Sequence, residues 1–171
     1  MSKLIITFAL VLVLAVGMSD ALAKPWRQIT PLRSTAQDVA NLLHRCKEAK
    51  TRCQFTLEEQ EVMIIFSGGE IGAGECKRVP NRTVLAVIVG FSRPMRLRKF
   101  QLKDKQFKVF EPSSPPKLGY KTYYYVQDGF MVNTYKGKVI GLVYISAQKD
   151  IHLCPEYYED PKAFVAVGLI H

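Results

Sequence analysis

The chain is poor in the residues that carry most enzymatic chemistry. Among 171 residues it has one Trp, three His and four Cys, and its 15 acidic residues are outnumbered by 24 Lys and Arg. His44, His152 and His171 lie in no motif such as G-x-S-x-G or H-E-x-x-H, which leaves a serine hydrolase or a zinc peptidase without a signature. The cysteines lack the close C-x2–4-C pairs of a zinc site, since Cys46 and Cys53 are too far apart. A phosphate loop is missing as well. The glycine-rich stretch Ser67–Glu75 has no Lys after its last Gly, carries Glu70 and Glu75, and leads into strand-like sequence. The acidic cluster Glu58-Glu59-Gln60-Glu61 falls at a turn and reads as a solvated face. These absences predict a protein that is not an enzyme and that uses no metal and no cofactor.

Long apolar runs are also missing beyond the N-terminus, where a bilayer span would need about 20 residues. What stands at the N-terminus is a leader. Met1-Ser2-Lys3 is a short basic start, Leu4 to Met18 is uncharged, and Ala21 and Ala23 form the small-x-small box that a signal peptidase reads. The pattern predicts a signal peptide over residues 1–23, cleavage between Ala23 and Lys24, and a single exported domain over 24–171, periplasmic or extracellular. Position 24 is not Cys, so no lipid anchor is expected there.

The formal charge is +9, and removal of the leader takes one Lys and one Asp and leaves it unchanged. Such a surface attracts anionic partners. In an exported protein these are an anionic envelope polymer, a lipid surface or an acidic protein face, and not intracellular nucleic acid. Four cysteines in an oxidising compartment read as two disulfides. Of the three pairings, we favour Cys46–Cys53 across a short polar loop and Cys76–Cys154 tying the middle of the chain to its end.

Local signals predict an α+β domain: an antiparallel β-sheet with an N-terminal helix packed on one face. Lys24 to Pro31 reads as an extended lead anchored by Trp26. Ser34 with Gln37 makes a capping box, and Val39, Leu42 and Leu43 form one apolar face, so a helix is expected over about 34–45. Val62–Phe66 and Thr83–Gly90 are apolar on both faces and suit buried strands. Tyr120–Val126, Phe130–Tyr135 and Val139–Ile145 form a meander turned at Asp128-Gly129 and Lys136-Gly137. The apolar tail 164–170 reads either as docked on the body, which we favour, or as a partner-binding strand.

Ile29, Pro31, Leu32, Ser34, Thr35, Asp38, Val39, Leu42 and Leu43 together resemble the start of a group of exported bacterial proteins of unknown function. Phe66-Ser67-Gly68, Val79-Pro80 before Thr83-Val84, the turns at Asp128-Gly129 and Lys136-Gly137, and Leu153-Cys154-Pro155 extend the likeness over most of 26–155. The resemblance implies export and brings no activity. Ser34, Asp38, Val39, Leu42 and Leu43 also resemble, more loosely, the first helix of the BamE/SmpA-type envelope domain. That likeness implies helices on a three-stranded antiparallel sheet and work through protein contacts. This chain differs in lacking a lipid-carrying Cys after the leader, in having His44 where a Gly is usual, and in its greater length.

Two surfaces are candidates for binding. The basic stretch 93–108 offers Arg93, Arg96, Arg98, Lys99 and Lys103 as an anion site, against a simpler reading as a solvated edge segment. Tyr120, Tyr123, Tyr124 and Tyr125 could stack on a glycan, against a simpler reading as strand residues. The expected role is an exported, non-enzymatic protein-interaction module; the alternative is a binder of an anionic or glycan envelope polymer through the basic stretch.

Overall fold

A strand with no polar side calls for cover on both faces, and in the computed structural model Val62, Ile64 and Phe66 are buried on one face while Met63 and Ile65 are half-buried on the other. The structure describes residues 23–68, 76, 78–100, 107–111 and 119–158. The leader before Ala23, the heart of the glycine-rich stretch and the 164–170 tail lie outside the described residues. The elements are α1 (Ala36–Leu43), β1 (Arg52–Leu57), β2 (Gln60–Phe66), β3 (Val84–Arg96), a 3-10 turn (Leu97–Phe100), β4 (Phe107–Phe110), β5 (Tyr120–Tyr125), β6 (Phe130–Tyr135), β7 (Lys138–Tyr144), a second 3-10 turn (Gln148–Leu153) and α2 (Pro155–Tyr158).

The strands form one 7-stranded sheet in the order β1-β2-β3-β7-β6-β5-β4, and every neighbouring pair is antiparallel. Two meanders, β1–β3 and β4–β7, are therefore joined along a central seam where β3 lies beside β7. An antiparallel sheet with a short helix is the α+β class that the sequence predicts.

Side chains alternate between two apolar layers, as the pleat requires. Val62, Ile64, Phe66, Val87, Val89, Phe130, Val132 and Leu142 share one cluster with Trp26, Ile29, and Ala36 and Val39 of α1. Ala86, Ile88, Met131 and Val143 form the second with Tyr124, Ile145, Cys154 and Tyr158. The Tyr158 hydroxyl donates to the Leu85 carbonyl at 2.7 Å. That bond seats α2 where a register shift between Ile65 and Phe66 breaks the β2–β3 ladder.

Three local readings need correction. The lead is not extended: Trp26 and Ile29 exchange backbone hydrogen bonds of 2.9 and 2.8 Å around a tight turn with positive φ at Arg27 and Gln28. The helix is capped by Thr35, not Ser34. The Asp38 backbone N–H donates to the Thr35 hydroxyl at 3.3 Å, and the Asp38 carboxylate accepts from the Thr35 N–H at 2.7 Å. The Ser34 hydroxyl is occupied instead by the Thr30 N–H at 2.9 Å. The helix stops at Leu43 because His44 turns left-handed, with φ 54°. Finally, β3 does not end near Gly90 but runs to Arg96. Pro94, which donates no ladder bond, is tolerated because the β3–β7 register slips between Gly90 and Met95.

Candidate functional site

All four cysteines are joined, Cys46 to Cys53 with Cα atoms 5.5 Å apart and Cys76 to Cys154 at 4.8 Å. This is the pairing favoured from the sequence, and with no free cysteine no thiolate is available as a nucleophile. The first bond fastens the loop after α1 to β1. Arg82 holds the same loop from the other side by donating to the Lys47 and Ala49 carbonyls. His44 and His152 are both exposed. The His152 Nδ1 lies 2.7 Å from the Lys149 carbonyl, while His171 is outside the described residues. Among the described residues no group of three or more His, Cys, Asp or Glu converges, and no helix is long and apolar enough to cross a membrane.

The candidate cations lie on different elements. Arg93 and Arg96 stand exposed on β3 and Arg98 on the following 3-10 turn. The β2 register ends at the Gln60–Phe91 pair, so the end of β3 that carries Arg93 and Arg96 is paired with β7 alone and is open on its other side. Lys99 lies in the same turn, and Lys103 lies outside the described residues. Lys108 is exposed on β4, which does stand at the sheet edge.

The sheet register adds partners that the sequence did not show. Arg96 is paired with Lys138, Lys138 with Tyr135, and Tyr135 with Tyr120. Residues directly opposite in antiparallel strands share a face, so Arg96, Lys138, Tyr135 and Tyr120 form one row across β3, β7, β6 and β5. At the usual interstrand spacing the row is about 14 Å long. Its cationic end is exposed and its tyrosines are half-buried. The Tyr120 and Tyr135 rings lie 4.5 Å apart between centroids, and the Lys136 ammonium sits 5.1 Å from the Tyr135 ring centroid. Lys121, on the opposite face, is partly neutralised by Glu111 at 3.4 Å.

The next row inward on this face is polar and small. The Thr122 hydroxyl donates to the Asn133 amide oxygen at 2.7 Å, and both residues are buried. The Asn133 amide nitrogen has no hydrogen-bond partner among the described residues. Gly141 stands opposite both Asn133 and Gly90, and a Cβ there would come within 2.9 Å of the Val89 carbonyl oxygen. Gly141 thus permits β3 and β7 to approach beside the cationic row.

The tyrosine reading changes in consequence. Tyr124 and Tyr125 are buried and Tyr123 is partly buried, so these three are core residues. Burial pushes the Tyr124 and Tyr144 phenols above their ordinary value, so neither ionises near neutral pH. Tyr120 alone of that group joins the cationic row. Tyr135 and Lys138 were missed because their relation to Arg96 is created by the β3–β7 seam; the Lys136-Gly137 turn was the signal that placed them on adjoining strands.

No protein-family model matches the chain, and neither a curated protein nor a solved structure matches it.

Proposed function

We propose that the mature domain is an exported, non-enzymatic binding protein that attaches to an anionic envelope polymer, in the periplasm or outside the cell. The observation that carries this reading is the row Arg96–Lys138–Tyr135–Tyr120. An Arg fork donates two parallel hydrogen bonds to a carboxylate or phosphate, and Lys supplies a point charge beside it. A row about 14 Å long suits a chain of repeating anionic groups better than one small ion. The net charge of +9 supports attraction from a distance. The two disulfides suit an oxidising compartment.

The test is retention of protein 24–171 on an immobilised acidic polysaccharide, compared with the variant Arg96→Gln/Arg98→Gln/Lys138→Gln. The unmodified protein should be held at low salt and released as ionic strength rises, because exposed charges are screened. The variant should pass through. Equal retention of the two, or no retention of either, sinks the proposal.

A second reading, the protein-interaction module, is favoured by the sheet edges. Among the described residues β1 and β4 are each paired on one side only, and Val109 on β4 is 47% exposed. Open edges accept partner strands. Cross-linking of tagged protein in intact envelopes should then recover one abundant protein; recovery of polymer alone rejects this second reading.

A further inference from the structure

The segment just after the expected cleavage point is built into the domain. Ala23 is 1% exposed. The Lys24 backbone nitrogen donates to the Asp128 carbonyl at 2.9 Å, and the Lys24 ammonium lies 4.3 Å from the Phe130 ring centroid. Two residues further on, the Trp26–Ile29 bridge buries both side chains in the same core as Phe130. The surface that receives Lys24 is itself fixed. The Ile145 N–H donates to the Gly129 carbonyl at 2.7 Å, and Gly129 packs so closely that a Cβ would lie 2.3 Å from the Ile145 carbonyl oxygen.

A peptidase needs its substrate backbone extended and free on both sides of the bond it cuts. Here the nitrogen of the Ala23–Lys24 bond is already a donor, the residue before it is buried, and the chain after it turns at once into the core. We infer that the Ala23–Lys24 bond is a processing site that the fold itself closes. Cleavage is open while residues 23–29 are undocked and is shut once they seat beside the Asp128-Gly129 turn. The inference rests on the leader reading and is independent of the polymer-binding proposal. The chemistry is hydrolysis: the Ala23–Lys24 amide bond breaks, water supplies hydroxyl to the Ala23 carbonyl carbon, and Lys24 N leaves as an amine. At neutral pH that amine is largely protonated. It keeps its place as a donor to the Asp128 carbonyl, so the mature amino terminus has a seat prepared for it.

The experiment uses the full chain 1–171 in detergent with a purified signal peptidase, read by the mass of the product. The oxidised, folded chain is compared with the same chain after both disulfides are reduced and alkylated. The same leader on a flexible sequence reports that the enzyme is active. Cleavage of a folded site tracks its open population, so the folded chain should be cut at least about tenfold more slowly, with 24–171 the product of the unfolded one. A third chain carries a glycine-serine spacer between Ala23 and Lys24, which moves the bond after Ala23 out of its seat while leaving the domain folded. It should be cut at the unfolded rate. Equal rates for the folded and unfolded chains overturn the inference. A spacer chain that stays resistant overturns the role of the seat. Failure to cut any form of the chain, with the control cut normally, overturns the leader reading beneath it.

Discussion

Arg96 and Lys138 stand directly opposite each other in the β3–β7 pair, so two cations share one rung of the sheet. Like charges so placed cost about 0.2–1 kcal/mol. Neutralising one should therefore relieve the fold while weakening the site. Lys138→Gln is expected to raise stability by about 0.5 kcal/mol in a urea melt and to lower retention on a polyanion several-fold at low salt. If Lys138→Gln lowers both, the pair is not under electrostatic strain and the rung has another role.

Gly129 and Gly137 both have positive φ, at 60° and 72°, but their surroundings differ. A Cβ at Gly137 meets nothing within 4 Å, whereas one at Gly129 falls within 2.3–2.4 Å of the Ile145 and Ser146 carbonyl oxygens. Gly137→Ala should cost about 1–2 kcal/mol, the backbone penalty alone. Gly129→Ala should cost clearly more, because two backbone carbonyls must also move. Matching thermal midpoints for the two variants would contradict this difference.

The two disulfides close loops of very different length, with sequence separations of 7 and 78. On the chain-entropy account, Cys46→Ala/Cys53→Ala should lose about 2.5 kcal/mol and Cys76→Ala/Cys154→Ala about 4.5. Denaturant midpoints of the two double variants give the order directly; a larger loss from the short loop would show that the first bond acts through native packing around Arg82.

The helix cap offers a pH-linked test. The Thr35 backbone N–H, and then its hydroxyl, hold the Asp38 carboxyl below its ordinary value, with burial opposing weakly. A carboxyl lowered in the folded state adds stability above its unfolded value of about 3.9, and that stability is lost as pH falls through the folded value. Asp38→Asn should therefore reduce the difference in stability between pH 6 and pH 2 (roughly the range over which the carboxyl titrates), and the effect should be small because the site is exposed. Thr35→Ala should cost about 1 kcal/mol, while Gln37→Ala should cost little, since the Gln37 amide reaches Asn41 at 2.9 Å and takes no part in the cap. A larger loss from Gln37→Ala would restore the cap to Ser34.

The cap also shows how far the sequence could be read. Ser34 and Thr35 are both good caps, and Gln37 and Asp38 both stand three residues on. The choice was made by contacts outside the helix: Thr30 takes the Ser34 hydroxyl, and Thr35 is bridged to Thr83. Periodicity and turn dipeptides located most of the strands, because apolar alternation and Asp128-Gly129 are local features. The β3–β7 seam was not legible, since nothing near Arg96 names Lys138 as its neighbour. The end of β3 was hidden for a related reason: Pro94 reads as a strand breaker unless the slip in register beside it is known. The cysteines were readable because loop length and position left one pairing simpler than the others.

The bond from Cys76 to Cys154 has a consequence for how the chain responds to a protease. Cys76 precedes β3 and Cys154 follows β7, so the bond brackets the whole stretch between them. A single nick anywhere in that stretch, including the connection from β3 to β4, divides the backbone and yet leaves one covalent molecule. The fragment bearing β1 to β3 would stay tethered to the fragment bearing β4 to β7, with the seam between them still hydrogen-bonded. Backbone continuity and molecular integrity are thereby uncoupled, and a reductant rather than a protease decides when the two halves part.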